Sequence, residues 1–272
     1  MVRVNLLLPK KEVPGPRKTR DPQYESLTQN ETIRLFVYKY ESDDFTQPDE
    51  SNFVGQWTFR VEESDHSTRL CTVDPDTGAY IADMTNTDFH LPASTYVFYA
   101  IHPAIALPNW ESVFGGSRKM PSYTIYHGNL LSLYASEAQK FYIGQNAGEV
   151  VGGTPGFFNI TPEPFRILTS KISFKLWMSE DGSIEDLDMA SGGVVIDGLA
   201  PNVYRENFFI GFTSLYQQQS ATPGTFTMLP VENNGYYTYL ASDPDKSGKE
   251  TFNFSAEIIP TATPTDVSFT FN

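Results

Sequence analysis

The chain has 272 residues, 40% of them hydrophobic and 14% aromatic, and a net charge of −14. That composition is too apolar for a disordered chain and suits one large or two ordinary domains. So acidic a chain repels phosphate backbones, which sets nucleic acid aside as a partner.

The first predicted element is a strand in "VRVNLLLP", with Val2, Val4, Leu6 and Leu8 on one face. "KKEVPGPRKTRD" follows and carries Lys10, Lys11, Arg17, Lys18 and Arg20. Residues 1–20 hold a charge of +5 and the remainder −19. The next predicted strand begins at Thr32, so the connection exceeds twenty residues. Compact domains connect their elements in about 4–6 residues. A basic, proline-bearing segment of this length is expected to be an exposed, structureless tether, open to a trypsin-like protease after Arg17 or Arg20. The apolar opening is too short for a signal peptide and lacks a small-residue cleavage site. No stretch approaches the roughly 18 apolar residues that span a bilayer.

A period of two dominates from there. "TIRLFVYKY" sets Ile33, Leu35 and Val37 against Arg34, Phe36 and Tyr38. "QWTFRV" alternates Trp57, Phe59 and Val61, and "STYVFYAIHP" sets Val97, Tyr99 and Ile101 against Tyr96, Phe98 and Ala100. "SKISFKLWMS" alternates Ile172, Phe174 and Leu176, and further runs recur up to "DVSFTFN". These β-branched and aromatic runs are bounded by Gly, Pro, Asn and Asp, which are turn formers. A helical period is rare. "HGNLLSLYASEAQKFY" (127–142) puts Leu130, Leu133, Tyr134 and Ala138 on one stripe and is the best helix candidate; "SIEDLDMA" (183–190) could add one turn. Residues 103–127 read as irregular, and the Gly- and Pro-rich stretch 148–165 reads as a boundary. The expected architecture is all-β, with two β-sandwich domains at 1–160 and 161–272 and one or two short helices.

Candidate chemistry is sparse. Cys71 is the single cysteine, so no intrachain disulfide forms, and it is expected as a small buried hydrophobe. His66, His90, His102 and His127 stand at no metal-ligand spacing. His102 closes a strand before Pro103 and is expected in a hydrogen-bonded structural role. "DPDKSG" matches the first half of a calcium loop through Asp243, Asp245 and Ser247, but the twelfth position is Phe254; it and "DPDTG" read as turns. "GEVVGGTPG" lacks the lysine and the helix of a phosphate cradle, and no G-x-S-x-G elbow is present. "EDGSIEDLD" reads as a solvated acidic loop. Trp110, near Asn109 and Phe114, is a weak candidate for stacking on a sugar, which leaves a surface glycan-binding module as the rival function. No catalytic residue, metal or cofactor is assigned, and the chain is read as non-enzymatic.

The tether suggests a use for the first strand. Its removal would leave a hydrophobic slot flanked by unpaired backbone, which is a template for another strand. Val267, Phe269 and Phe271 alternate after "PTATPT" and form a candidate donor strand.

The order of these features resembles the fimbrillins of Bacteroidales, the FimA/Mfa-like pilin superfamily. The matching pieces are the short first strand with "RKTRDPQYESLTQNETIRLFVYKY", then "LPASTYVFYAIHPA", a tyrosine-rich strand closing on proline, then "FRILTSKISFKLWMS" and "GVVIDGLAP" at the start of a second domain. The resemblance implies two transthyretin-like Greek-key β-sandwiches, export as a lipoprotein and assembly at the outer membrane surface. It implies cleavage after Arg17 or Arg20, loss of the strand holding Val2, Val4, Leu6 and Leu8, and refilling by a partner's C-terminal strand. The implied partners are other fimbrial subunits and a host or bacterial surface ligand. The lipidated cysteine is expected upstream of Val2. Anchor and tip members of the family need not be cleaved or polymerise.

Overall fold

Period-two patterning becomes strand throughout the computed structural model, which describes residues 2–13, 22–40, 52–62, 68–73, 80–82, 89–104, 123–126, 132–144, 158–177, 194–199, 202–205, 224–228, 237–258 and 268–271. These residues form β1 (Val2–Leu6), β2 (Lys10–Glu12), β3 (Tyr24–Ser26), β4 (Thr32–Lys39), β5 (Phe53–Val61), β6 (Thr68–Val73) and β7 (Tyr80–Ala82). There follow β8 (Phe89–Leu91), β9 (Ser94–His102), β10 (Tyr123–Tyr126), β11 (Tyr134–Ile143), β12 (Phe158–Ile160), β13 (Arg166–Ile167) and β14 (Ser170–Leu176). The last are β15 (Val194–Asp197), β16 (Asn202–Arg205), β17 (Thr225–Met228), β18 (Tyr237–Asp243), β19 (Lys249–Ile258) and β20 (Ser268–Phe271). The fold is all-β, as the patterning predicts. No helix among the described residues is long and apolar enough to cross a membrane.

Two compact units emerge. One comprises Met1–Ser122, Leu133–Leu168 and Glu206–Thr213; the other comprises Tyr123–Ser132, Thr169–Arg205 and Ser214–Asn272.

The first unit packs a seven-stranded antiparallel sheet, in the order β13-β11-β9-β4-β5-β6-β7, against the three-stranded sheet β12-β1-β8. Ile33, Leu35 and Val37 of β4 and Tyr96, Phe98 and Ala100 of β9 share one core with Val2, Val4 and Leu6 of β1. Trp57 stacks on Phe89 at 4.5 Å between ring centroids. The opposite faces of β4 and β9 are buried too: Phe36 and Tyr38 on one strand, Val97, Tyr99 and Ile101 on the other. Central strands covered on both sides read as near-continuous apolar runs, which explains why both faces of these segments are hydrophobic. Tyr38 and Tyr99 meet edge to face at 5.7 Å, and burial pushes both phenols up.

The expected helix over 127–142 is corrected by this sheet. Tyr134–Ile143 is β11, paired antiparallel along β9, with a bulge between Ser136 and Gln139. Leu133, Tyr134, Ala135 and Ser136 are buried in succession, a pattern that no single helical face provides. β9 is an apolar strand with an edge to satisfy, and that long-range pairing overrides a local helical stripe.

The second unit repeats the layering. Sheet β14-β19-β18 and sheet β17-β15-β20 enclose Val194, Ile196, Leu199, Phe254 and Ala256, with Ile172, Phe174 and Leu176 packed against them. β10 pairs with β16 in a separate ladder. "DPDKSG" is the turn from β18 to β19, with a single 3-10 turn at Pro244–Lys246. The Asp243 side chain accepts the Asp245 amide at 2.9 Å, and Gly248 takes φ +79°, a left-handed conformation that suits glycine.

Candidate functional site

The geometry that stands out is the seat of the N-terminal strand. β1 is the middle strand of its sheet, antiparallel to β8 (Val2 opposite Leu91, Val4 opposite Phe89) and parallel to β12 (Val4 opposite Phe158, Leu6 opposite Ile160). The alternation at Val2, Val4 and Leu6 therefore does what period two requires: all three side chains enter the core, Val4 at 0% exposure. Burying one such side chain contributes roughly 1.5–3 kcal/mol. The Leu6 carbonyl accepts a bond from the Thr68 hydroxyl, and the Leu7 amide donates to the Ile160 carbonyl at 2.8 Å. Leu7 is exposed, as the alternation requires, and Leu8, the next inward position, is only partly buried against the core.

The segment after Leu8 is not the structureless tether expected from its composition, at least as far as Val13. Lys10–Glu12 is β2, paired antiparallel with β3. Glu12 donates its amide to the Phe165 carbonyl at 2.7 Å, and Phe165 donates its own to the Lys10 carbonyl at 2.7 Å. The Glu12 carboxylate accepts the Ile167 amide at 3.0 Å. Charge on this segment is matched by the body it lies on. The Lys11 ammonium bonds the Glu31 carboxylate and lies 3.7 Å from Glu25 and 5.9 Å from the centroid of the Tyr134 ring. Its side chain is 13% exposed, so composition alone misjudged how far a lysine can be packed when its stem is apolar and its head is paired.

Glu31 is held from several sides. Its carboxylate accepts the Thr28 amide at 2.5 Å and lies 3.4 Å from Nε2 of His102. Burial raises its carboxyl, but the hydrogen bonds from His102, Lys11 and Thr28 outweigh burial and bring it down to about 2. His102 is buried, and its Nδ1 donates to the Thr32 carbonyl at 2.9 Å, since a carbonyl only accepts. The expected hydrogen-bonded role of this histidine is what the geometry shows. Lys11, Glu31 and His102 as a group were not legible: the three lie far apart in sequence, and no local spacing joins them.

The other sequence candidates fall as follows. Val2, Val4, Leu6 and Leu8 lie together as described. Phe269 and Phe271 belong to β20, where Phe269 lies opposite Ile196 and Phe271 opposite Val194 of β15. Arg17, Arg20, Val267 and Trp110 lie outside the described residues, as do His66 and His127. Cys71 is buried on β6, and burial pushes its thiol up to about 11. Among the described residues no three His, Cys, Asp or Glu side chains gather as metal ligands. In the second unit Asp243 accepts from Lys175 Nζ at 2.6 Å and from the Thr251 hydroxyl at 3.1 Å, which anchors its turn.

Residues 16–221 match the family described as fimbrillin-like. No curated protein matches the chain. Among solved structures, a candidate cell adhesion protein of Bacteroides fragilis is 16% identical, with 100% of this chain and 87% of that one aligned and a TM-score of 0.52, a likeness of fold. A candidate cell adhesion protein of Bacteroides uniformis is 12% identical over 99% of this chain and 79% of its own, with a TM-score of 0.46. The fimbrial anchor protein Mfa2 of Porphyromonas gingivalis is 8% identical over 99% of this chain and 76% of its own, with a TM-score of 0.44.

Proposed function

The chain belongs to the fimbrillin-like family, and from that premise we propose that it is a structural or adhesive subunit of a bacterial surface fimbria that exchanges its first strand for one from a partner. The observation that carries this reading is the seat of β1. A strand in the middle of a sheet, with three side chains in the core, sits at the N-terminus and is joined to the body through a segment bearing Arg17 and Arg20. Cleavage after either arginine would free the strand. Its loss would leave β8 and β12 with unpaired backbone and an apolar slot between them, which another extended segment can fill. A preformed slot of this kind spares the incoming strand much of the ordering cost of assembly. In this reading the protein acts at the outer membrane or fimbrial surface, anchored through lipid upstream of Val2, with other fimbrial subunits as partners and no chemical reaction of its own.

The donor segment would be Val267, Phe269 and Phe271 of a second copy. One observation favours a second version, an anchor or tip protein that does not polymerise, in which the chain does not donate its last strand. β20 is already paired with β15 in its own sheet, and a donor must first give up that ladder.

Limited digestion with an arginine-specific protease tests the proposal. The body should survive, the cut should map to Arg17 or Arg20, and the cut protein should then associate, into long polymers if it donates and into closed complexes if it only accepts. A segment that resists the protease, or a body that unfolds on cutting, would end the strand-exchange reading.

A further inference from the structure

The slot does more than bury hydrophobic side chains. Three alternate side chains, Val2, Val4 and Leu6, occupy its apolar part. Five residues after Leu6, Lys11 brings its ammonium to Glu31, with Glu25 at 3.7 Å. The register is continuous between the two: Val4 lies opposite Phe158, and Lys11 opposite Phe165, at the same offset. The N-terminal segment thus presents one spaced pattern to the body, apolar at three alternate positions and cationic at a fixed distance beyond.

We propose that Glu31, backed by Glu25, is a selection site for the strand that refills this slot, accepting a partner segment that carries Lys or Arg five residues after its third buried apolar residue. The inference rests on the strand-exchange reading above. Its own ground is charge. When the N-terminal segment leaves, it takes the Lys11 ammonium with it, and a partly buried carboxylate loses its cation. An incoming strand with a neutral residue there leaves Glu31 without its lysine partner, and one with an acid adds like-charge repulsion. A strand with a cation restores the contact. The Tyr134 ring, 5.9 Å from Lys11 Nζ, adds a face that favours a cation over a neutral group. Apolar knobs alone would admit many strands, since alternating Val, Leu and Phe is common in β proteins. The carboxylate distinguishes among them. The Val267, Phe269, Phe271 segment of a second copy meets the apolar part of the pattern.

The test uses the full chain cut with an arginine-specific protease, so that both pieces are present. A fluorescent peptide spanning residues 2–13 is added, and its uptake is followed by anisotropy. Competing peptides carry Lys11→Glu, Lys11→Arg or Lys10→Glu; Lys10 is exposed and serves as the charge control. Lys11→Glu should weaken uptake by about tenfold or more, as loss of a hydrogen-bonded charge does, while Lys11→Arg and Lys10→Glu should stay within about threefold of the unaltered peptide. Equal uptake of all four peptides overturns the selection site and leaves strand exchange standing. No uptake of the unaltered peptide overturns strand exchange and the selection site together.

Discussion

Lys11 lies opposite Phe165 in the register that already holds Val4 opposite Phe158. β1 and β2 are therefore one extended ribbon that follows residues 158–165 in parallel, interrupted around Pro9 but never shifted. The consequence concerns what a cut would release. Both arginines lie beyond β2, so a fragment ending at Arg17 or Arg20 carries both strands, their backbone bonds and the Lys11 ion pair. The piece such a cut would release is larger than one strand.

Leu6 is the buried anchor at the end of β1. It is 1% exposed, and its carbonyl takes the Thr68 hydroxyl. Leu6→Ala should lower unfolding stability by about 2–5 kcal/mol, the usual cost of emptying a buried leucine site. Leu8→Ala should cost clearly less, because Leu8 is only partly buried. Urea unfolding midpoints compare the two. Equal losses would mean that the ribbon beyond Leu6 packs more tightly than its burial indicates.

Glu31 should make the first unit acid-sensitive. Its folded carboxyl lies at about 2 against an ordinary value of 4.5, so the folded state prefers it ionised. A depressed carboxyl contributes stability that is fully present above about pH 4.5 and is lost as the pH falls toward 2. Full conversion of that shift is on the order of 3 kcal/mol, and solvent screening of this partly exposed carboxylate reduces the contribution to about 1–2 kcal/mol. Glu31→Gln should remove that part of the pH dependence and lower stability at neutral pH, since Lys11 then has a weaker partner. Denaturant titrations between pH 2 and 7 on both proteins, with ~0.1 M salt to set screening, measure it.

Much of this fold could be read from alternation alone. Ile33, Leu35 and Val37, then Tyr96, Phe98 and Ala100, face the core as a period of two demands. The misreading of 127–142 came from judging a stripe by its own residues, when the deciding partner was β9, which begins more than thirty residues earlier. The buried first strand was legible because Val2–Leu6 is strongly patterned. The order in Lys10–Glu12 was not, because it depends on Phe165, Glu31 and Tyr24, none of them a sequence neighbour. Charged side chains in a proline-bearing stretch look solvated until their counter-ions are placed.

Asp243 should prove the keystone of the β18–β19 turn. Its carboxylate accepts from Lys175, from the Asp245 amide and from Thr251, and the Lys175 bond leads in holding it below the ordinary carboxylate range. Asp243→Asn should lower the thermal midpoint more than Asp245→Asn, since the Asp245 side chain is 83% exposed. The Asp243 contribution should also fade on acidification, because a depressed acid loses its stabilising effect as it takes up a proton. Thermal scans of both variants at neutral and acid pH would show the order. A larger loss for Asp245→Asn would relocate the keystone.

Cys71 should behave as packing and not as chemistry. It is 7% exposed on β6, and burial pushes its thiol up to about 11. The nucleophile is the thiolate, so at pH 8 roughly one thiol in a thousand is in the reactive form. A chromogenic disulfide reagent should therefore leave the folded protein nearly unlabelled and react with one thiol per chain in denaturant. Cys71→Ala should cost a modest amount of stability, about 1 kcal/mol for a small buried side chain, and Cys71→Ser somewhat more, because a hydroxyl there needs a partner. Rapid labelling of the native state would overturn this and would make the single cysteine a reactive group exposed at the surface of β6.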